Sequence, residues 1–247
     1  MWRIDLNCDL GEDAGHDAEL MPLITSANIA SGGHAGDATT MRATVALAKK
    51  HGVAIGAHPG LVDRVNFGRR EIPVSPAEVH GLVLDQTRRL QALASVRHVK
   101  PHGALYHMTA RDQQLARAVA SAVYEADPRL ILFALAGSQL IEAGRACGLQ
   151  VASEVFADRS YQSDGSLTPR TQPNALITDE SAVVAQVLRM VREGKVRATD
   201  GTDVIIRADT VCLHGDGPQP VEFARRLRGE LTAAGIEVKN FDHGFNG

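Results

Sequence analysis

The sequence predicts one α/β domain built as a closed parallel barrel, and three observations carry that expectation. Strand-like and helix-like segments alternate about seven times along the 247 residues, the pattern of a parallel sheet with helices outside it. At least six of the strand-like segments run into polar residues, at Asp9, His34, His58, His102, Asp158 and His214. A barrel brings all its strand C-termini to one mouth, whereas an open doubly wound sheet gathers only those near its switch point. Polar ends on this many strands therefore favour the barrel. No Pro/Gly/Ser-rich linker divides the chain, and residues 1–247 read as a single domain.

The first strand is Ile4-Asp5-Leu6-Asn7-Cys8-Asp9, which alternates apolar and polar at the strand period. Asp5, Asn7 and Asp9 share a face and are expected to point into the barrel. Asp5 should lie deepest and meet a cation or hydrogen-bond donors, because a carboxylate buried without partners is costly. Leu10-Gly11-Glu12-Asp13 then turns. Residues 23–30 read as the second strand, carrying Asn28, and run into Ser31-Gly32-Gly33-His34-Ala35-Gly36-Asp37. A helix over 38–51 follows, capped by Asp37 or Thr39. A glycine loop ahead of a helix N-terminus suits an anion, although the Gly-Lys-Ser/Thr of a P-loop is missing. Residues 52–60 form the third strand and deliver His58. The irregular stretch 61–72 holds Arg69 and Arg70, which are either solvated or an anion clamp. Ser75, Pro76 and Glu78 fit the N-cap, N1 and N3 positions of a helix reaching to about Leu93.

The middle of the chain, Arg97-His98-Val99-Lys100-Pro101-His102-Gly103-Ala104-Leu105-Tyr106, is the densest in chemistry. His98, Lys100 and His102 alternate with Val99 and Pro101, so an extended backbone puts two imidazoles and an amine on one face. Pro101 argues against a helix here, and Gly103 lets the backbone turn. This reads as a strand delivering polar groups to a rim; the plainer alternative is an exposed polar edge strand. Lys100→Met is expected to leave the fold intact and remove a charge the site needs. A helix opens at Thr109-Ala110-Arg111-Asp112 and runs through Glu125. The apolar run 130–135 is a buried strand, 138–147 a helix ended by Gly148, and 150–156 a strand carrying Glu154. That strand exits through Asp158 and Arg159 into a Gly/Ser/Pro loop ending at Arg170. An amphipathic helix spans 181–193, a strand 210–216 ends in His214-Gly215-Asp216, a helix covers 220–234, and 235–239 closes the chain.

Composition narrows the partners. The formal charge is 26 − 29 = −3 with no basic patch, which argues against nucleic acid and anionic membranes. No apolar run approaches transmembrane length, and the opening residues lack the apolar core of a signal peptide. Three cysteines are too few and odd in number for a disulfide framework, which favours a reducing cytoplasm. Aromatics make up only 4%, so Ala, Val, Leu and Ile must fill the core.

Collected, the motifs resemble the LamB/YcsF family. They are Asp5-Leu6-Asn7-Cys8-Asp9-Leu10-Gly11-Glu12, Asn28-Ile29-Ala30 with His34-Ala35-Gly36-Asp37, and Gly56-Ala57-His58-Pro59. Phe67-Gly68-Arg69-Arg70, the central Val99-to-Tyr106 stretch and Glu154-Val155-Phe156-Ala157-Asp158-Arg159 follow, then Leu167-Thr168-Pro169-Arg170 and His214-Gly215-Asp216. They keep the family's order over nearly the whole chain. Three positions depart: the family usually has cysteine at 31, phenylalanine at 33 and proline at 38, where this chain has Ser31, Gly33 and Ala38. A nucleophilic cysteine is therefore unavailable at position 31.

The resemblance implies a seven-stranded TIM-like barrel of the glycoside hydrolase/deacetylase type. It also implies the family's role as the A subunit of an ATP-dependent 5-oxoprolinase. Such an enzyme opens 5-oxo-L-proline to L-glutamate with ATP as co-substrate and the B and C subunits as partners. Magnesium for ATP, or an ion in the site itself, is a further expectation left open. Phosphorylating the amide oxygen would make the ring carbonyl carbon electrophilic, so the site must hold anions and a water. Lys100, Arg159 and Arg170 suit the anions. Asp9, Glu12, His58, His102 and Glu154 can activate water or protonate the departing nitrogen, and spacing does not choose among them. Asn28, His34, Asp37, Asp158, His214 and Asp216 complete the expected substrate contacts. The rival readings are a metal-dependent deacetylase or amidohydrolase using Asp9 with His34, His58 or His102, a non-catalytic lactam- or sugar-binding protein, and an acid/base isomerase.

Overall fold

The structure is a computed structural model that describes residues 2–213 and 219–242. Six parallel strands follow in chain order: β1 (Arg3–Leu10), β2 (Ser26–Ala30), β3 (Ala54–His58), β4 (His98–Val99), β5 (Ile131–Leu135) and β6 (Gln150–Phe156). A small antiparallel hairpin, β7 (Lys195–Arg197) and β8 (Asp203–Ile205), precedes β9 (Thr210–Leu213). β9 lies between β6 and β1 and pairs with both, so seven parallel strands close into a barrel. β10 (Glu237–Val238) extends the N-terminal end of β1 by pairing with Arg3 and Ile4. Among the described residues no helix is long and apolar enough to cross a membrane.

The crossovers are α1 (Asp17–Leu20), α2 (Ala38–His51), α3 (Pro76–Gln91), α4 (Gly103–Arg111), α5 (Gln113–Ala126), α6 (Gln139–Ala146) and α7 (Glu180–Glu193), with α8 (Pro220–Ala233) after β9. Local chemistry sets their starts. The Asp37 carboxylate accepts from the Thr39 and Thr40 amides at 2.8 Å each, and Ser75 with Glu78 forms the expected capping box. Asp112 caps α5 through the Gln114 and Leu115 amides.

The apolar core lies between barrel and helices. Ile4, Leu6, Cys8 and Leu10 of β1 face it together with Val79, Leu105, Val119, Val187 and Leu227 from the helices, all buried. The barrel interior is polar through most of its depth: Asp5, Asn7, Ser26, Asn28, His98, Glu154 and Thr210 are all buried there. A small apolar plug of Ile131, Phe133, Ala152 and Phe241 forms a separate cluster. The expected register of β1 is therefore observed, with Asp5 and Asn7 sealed from water.

Three local expectations are corrected. Residues 103–108 are helical, because α4 begins directly after His102 and α5 is a second helix starting at Gln113, after its cap Asp112. The β7–β8 hairpin was not anticipated. His98 does not reach a rim: it is 1% exposed and crosses the barrel interior. His214 and Asp216 lie outside the described residues.

Candidate active site

Beneath the barrel mouth the side chains form a hydrogen-bonded floor. Lys100 follows the two-residue β4 and extends inward. Its Nζ lies 2.9 Å from Glu154 Oε1, 3.0 Å from Asp9 Oδ1, 3.2 Å from Asn7 Oδ1 and 3.1 Å from Cys212 Sγ. Burial opposes its charge, but Asp9 and the acceptors around it win and hold the ammonium pKa well above the usual lysine value. Asn7 Nδ2 donates to Glu154 Oε1 at 2.9 Å and to Thr210 Oγ1 at 2.7 Å. Asn28 Nδ2 donates to Asp9 Oδ1 at 2.8 Å, and Asn28 Oδ1 accepts from His98 Nε2 at 2.8 Å. His98 in turn stacks on Phe133 at a centroid distance of 4.2 Å. A Cβ on Gly56 would fall 2.0 Å from His98 Nε2, so β3 carries glycine where the imidazole crosses. Deepest of all, Asp5 accepts from Thr25 and Ser26 at 2.7 Å each and from Thr210. Burial outweighs these donors and lifts its carboxyl to about 6.

Above this floor three imidazoles and two carboxylates converge. His58 ends β3, His102 is the N-cap residue of α4, His34 comes from the loop after β2, and Asp9 and Glu12 leave β1. His58 Nε2 lies 3.2 Å from Asp9 Oδ2 and 3.0 Å from His102 Nδ1. Glu12 Oε1 lies 2.9 Å from His34 Nε2, 3.4 Å from His102 Nδ1 and 3.7 Å from His58 Nε2. The His34 and His102 rings stack at 3.6 Å. A Cβ on Gly60 would meet His34 Nδ1 at 2.5 Å, so glycine there admits the ring. Among the described residues, Glu12, His34, His58 and His102 are the group whose ligand atoms lie within 4.8 Å of one another, a donor set able to hold a metal ion.

The cluster divides into charged and neutral members. Burial and the neighbouring His58 push His34 down to about 2 and His102 down to about 3. His58 goes the other way: burial opposes its charge, but Asp9 and Glu12 raise its pKa. Burial likewise opposes Asp9, yet His58 and Lys100 hold it well below the usual carboxylate range. Glu12 is raised, chiefly by burial. These shifts favour a proton on His58 and an ionised Asp9, with Glu12 the carboxyl more easily protonated.

A cavity of about 1020 Å³ opens over these groups, and Asp9, Glu12, His58, Lys100 and His102 form its base. Arg69, Arg159 and Arg170 line its wall, as do Tyr106, His107, Phe156, Leu167 and Ile206. The volume sits at the top of the range of about 300–1,000 Å³ for small-molecule sites. Arg159 is 2% exposed and fixed by the carbonyls of Thr168 at 2.6 Å and Ala175 at 3.2 Å. Arg111 pairs with Glu71 at the rim.

Several expected site residues sit elsewhere. Asp37 is exposed, spends its carboxylate on the α2 cap and lines a separate shallow groove with Arg64 and Arg89. Asn28 and Glu154 are 0% exposed, below the floor, where they position Asp9 and Lys100 and have no face on the cavity. Asp158 is half-buried off the cavity wall, its carbonyl accepting from the Ile177 amide. His34 stands behind His102. The reading along the chain missed Tyr106, His107, Cys212 and the β8 residues Val204 and Ile205. Only the Asp200-Gly201 turn signalled that hairpin. Ser31 Oγ donates to the Ile29 carbonyl at 2.9 Å and is buried away from the cavity, so position 31 has no line of attack on a bound substrate.

Comparison with known proteins adds the following. The profile of the LamB/YcsF family matches residues 4–245. A protein of Shouchella clausii, named as the A subunit of 5-oxoprolinase, is 59% identical over 249 residues, covering 97% of this chain and 98% of that one. The crystal structure of a lactam utilization protein from Thermus thermophilus superposes with a TM-score of 0.92 at 47% identity, over 97% of this chain and 100% of the other. A Bacillus subtilis peptidoglycan deacetylase, PdaC, aligns with a TM-score of 0.51 at 10% identity, over 96% and 87% of the two chains, a likeness of fold alone.

Proposed function

Since the chain belongs to the LamB/YcsF family, we propose that it is the lactam-opening component of an ATP-dependent 5-oxoprolinase, converting 5-oxo-L-proline to L-glutamate. The observation that carries this reading is the 59% identity, end to end, with a protein bearing that name. The cavity is chemically suited to it. His58 and Asp9 supply an acid and a base 3.2 Å apart at the base, and Glu12 supplies a second proton carrier. Arg69, Arg159 and Arg170 face the same space and suit the substrate carboxylate and a phosphate. Lys100 already has two carboxylates as partners, so its part is to fix Asp9 and keep it ionised.

In this reading ATP is consumed by the assembly, the B and C subunits bind the nucleotide and transfer the phosphoryl group, and this chain opens the ring. A phosphorylated lactam is larger and more anionic than the free ring, which fits a wide cavity with arginines on its wall. The deacetylase alternative is not favoured, because the likeness to a deacetylase is one of fold alone.

The test is an assay of this protein with and without those two partners, following 5-oxoproline loss and phosphate release together. The reading requires the two to be coupled one to one in the complete system, with Asp9→Asn abolishing lactam loss. Undiminished coupled turnover in Asp9→Asn sinks the assignment of this cavity.

A further inference from the structure

The imidazoles at the mouth pose a hydrogen-bonding conflict. His58 Nδ1 lies 2.8 Å from the Lys100 carbonyl, and His102 Nε2 lies 2.9 Å from the Phe67 carbonyl. Carbonyl oxygens only accept, so both of these nitrogens carry the proton. When both rings are neutral, the nitrogens left with lone pairs are His58 Nε2 and His102 Nδ1, which face each other at 3.0 Å. Glu12 Oε1 lies within 3.7 Å of both, and Asp9 Oδ2 adds a further acceptor 3.2 Å from His58 Nε2. That contact is resolved by a proton on His58 Nε2, as in the acid–base pair above, or by a metal ion that takes the proton's place.

Charge counting points the same way. Glu154 is buried and Asp9 and Glu12 are half-buried, and the ammonium of Lys100 offsets only one of the three carboxylates. The imidazolium of His58 offsets a second, and a divalent ion in place of its proton offsets both that remain. We propose that Glu12, His58 and His102, completed by Asp9 Oδ2, form a binding site for one divalent transition-metal ion. Imidazole and carboxylate donors together suit zinc, manganese, iron or nickel better than magnesium or calcium. The two backbone carbonyls behind His58 and His102 are the outer partners such ligands require, since they fix tautomer and ring orientation. Bonds of about 2.0–2.2 Å to such donors place neighbouring ligand atoms roughly 3–3.5 Å apart, close to the 3.0–3.7 Å between the Glu12, His58 and His102 atoms.

His34 plays a different part. Its Nδ1 is buried with no partner among the described residues. If Nε2 held the metal, Nδ1 would bury an unanswered N–H. Instead Nε2–H donates to Glu12 at 2.9 Å and turns that carboxylate toward His58 and His102. His34 is thus a positioning residue. The site is independent of which substrate the cavity takes, so its test needs no turnover.

The protein is stripped with a chelator, reloaded with zinc or cobalt(II), freed of excess by gel filtration and measured for metal content. One ion per chain is expected, and the cobalt form should show the visible absorption of a nitrogen-ligated ion rather than that of the hydrated one. His58→Gln and His102→Gln should each weaken binding by at least about 100-fold, and His34→Gln by about 10-fold, the scale of losing an outer partner. His80→Gln, half-buried on α3 beside Glu125 and away from the cluster, should change nothing. Circular dichroism of each variant separates lost binding from lost fold, and the cobalt spectrum of the unmutated chain needs no variant. Metal content well below one per chain, a hydrated-ion spectrum, or binding unchanged in a folded His58→Gln/His102→Gln double variant each overturns the proposal.

Discussion

Lys100 Nζ has four acceptors within 3.2 Å, two of them carboxylates, and its side chain is 3% exposed. Such an ammonium is a keystone of the floor before it is a ligand for anything in the cavity. The expectation that Lys100→Met would spare the fold is therefore revised. Methionine fills most of the space but leaves Glu154 buried without a counter-charge and Asp9 with His58 alone, a loss of about 3–5 kcal/mol. Removing the second charge as well, in Lys100→Met/Glu154→Gln, should restore most of that loss, because an uncharged pair of similar volume costs little there. Urea unfolding of the single and double variants provides the check; if the double is no more stable than Lys100→Met, the floor is not held by this ion pair. Coupled turnover should fall by about two orders of magnitude in both, since Asp9 loses the donor that fixes it in either case.

At the scale of elements, period and chemistry reveal which face a residue takes but not how deep it lies along the barrel. The alternation in β1 placed Asp5, Asn7 and Asp9 on one inner face, and the structure has them there. Asn28 and Glu154 were named from the family motifs, which gave no sign that both stop below the cavity. Asp37 was legible as a helix cap, and the structure gives it no second role. α4 was hidden because Pro101 and Gly103 look like a turn; Gly103 at φ +53° instead lets a helix begin at once after His102. β3 and β4 meet most tightly where His98 passes Gly56. Gly56→Ala puts a methyl group 2.0 Å from His98 Nε2 and must push the ring off Asn28. A destabilisation of about 1–3 kcal/mol is expected, the range for overpacking a core. Pairing it with His98→Ser should recover part of the loss. Thermal melts of the three variants decide the matter, and a Gly56→Ala protein as stable as the parent would show that His98 does not fill this space.

At the scale of the whole molecule, the barrel is a polar tube inside an apolar sleeve, and its interior charges must make stability depend on pH. His98 and Asp5, both sealed within the tube, act in opposite senses. Burial holds His98 down at about 3 against an ordinary 6.5, so between those values the unfolded chain takes up a proton that the folded barrel refuses. Its contribution is complete above pH 6.5 and is lost as the pH falls toward 3. Burial lifts Asp5 to about 6 from an ordinary 3.8, so between these values the folded barrel holds a proton that the unfolded chain has released. Its contribution grows as the pH falls from 6 toward 3.8. Over most of that window the two proton counts cancel, and the unmutated protein masks both. Substitution separates them. Asp5→Asn removes the gain, so acidification from pH 7 to 4.5 should cost that variant about 2 kcal/mol more than the parent, at about 1.4 kcal/mol per pH unit. His98→Gln removes the loss and should suffer about 2.5 kcal/mol less than the parent over the same interval. Urea midpoints at the two pH values give both differences directly. Equal acid sensitivity in all three proteins would mean that neither group is held out of water as the barrel interior requires.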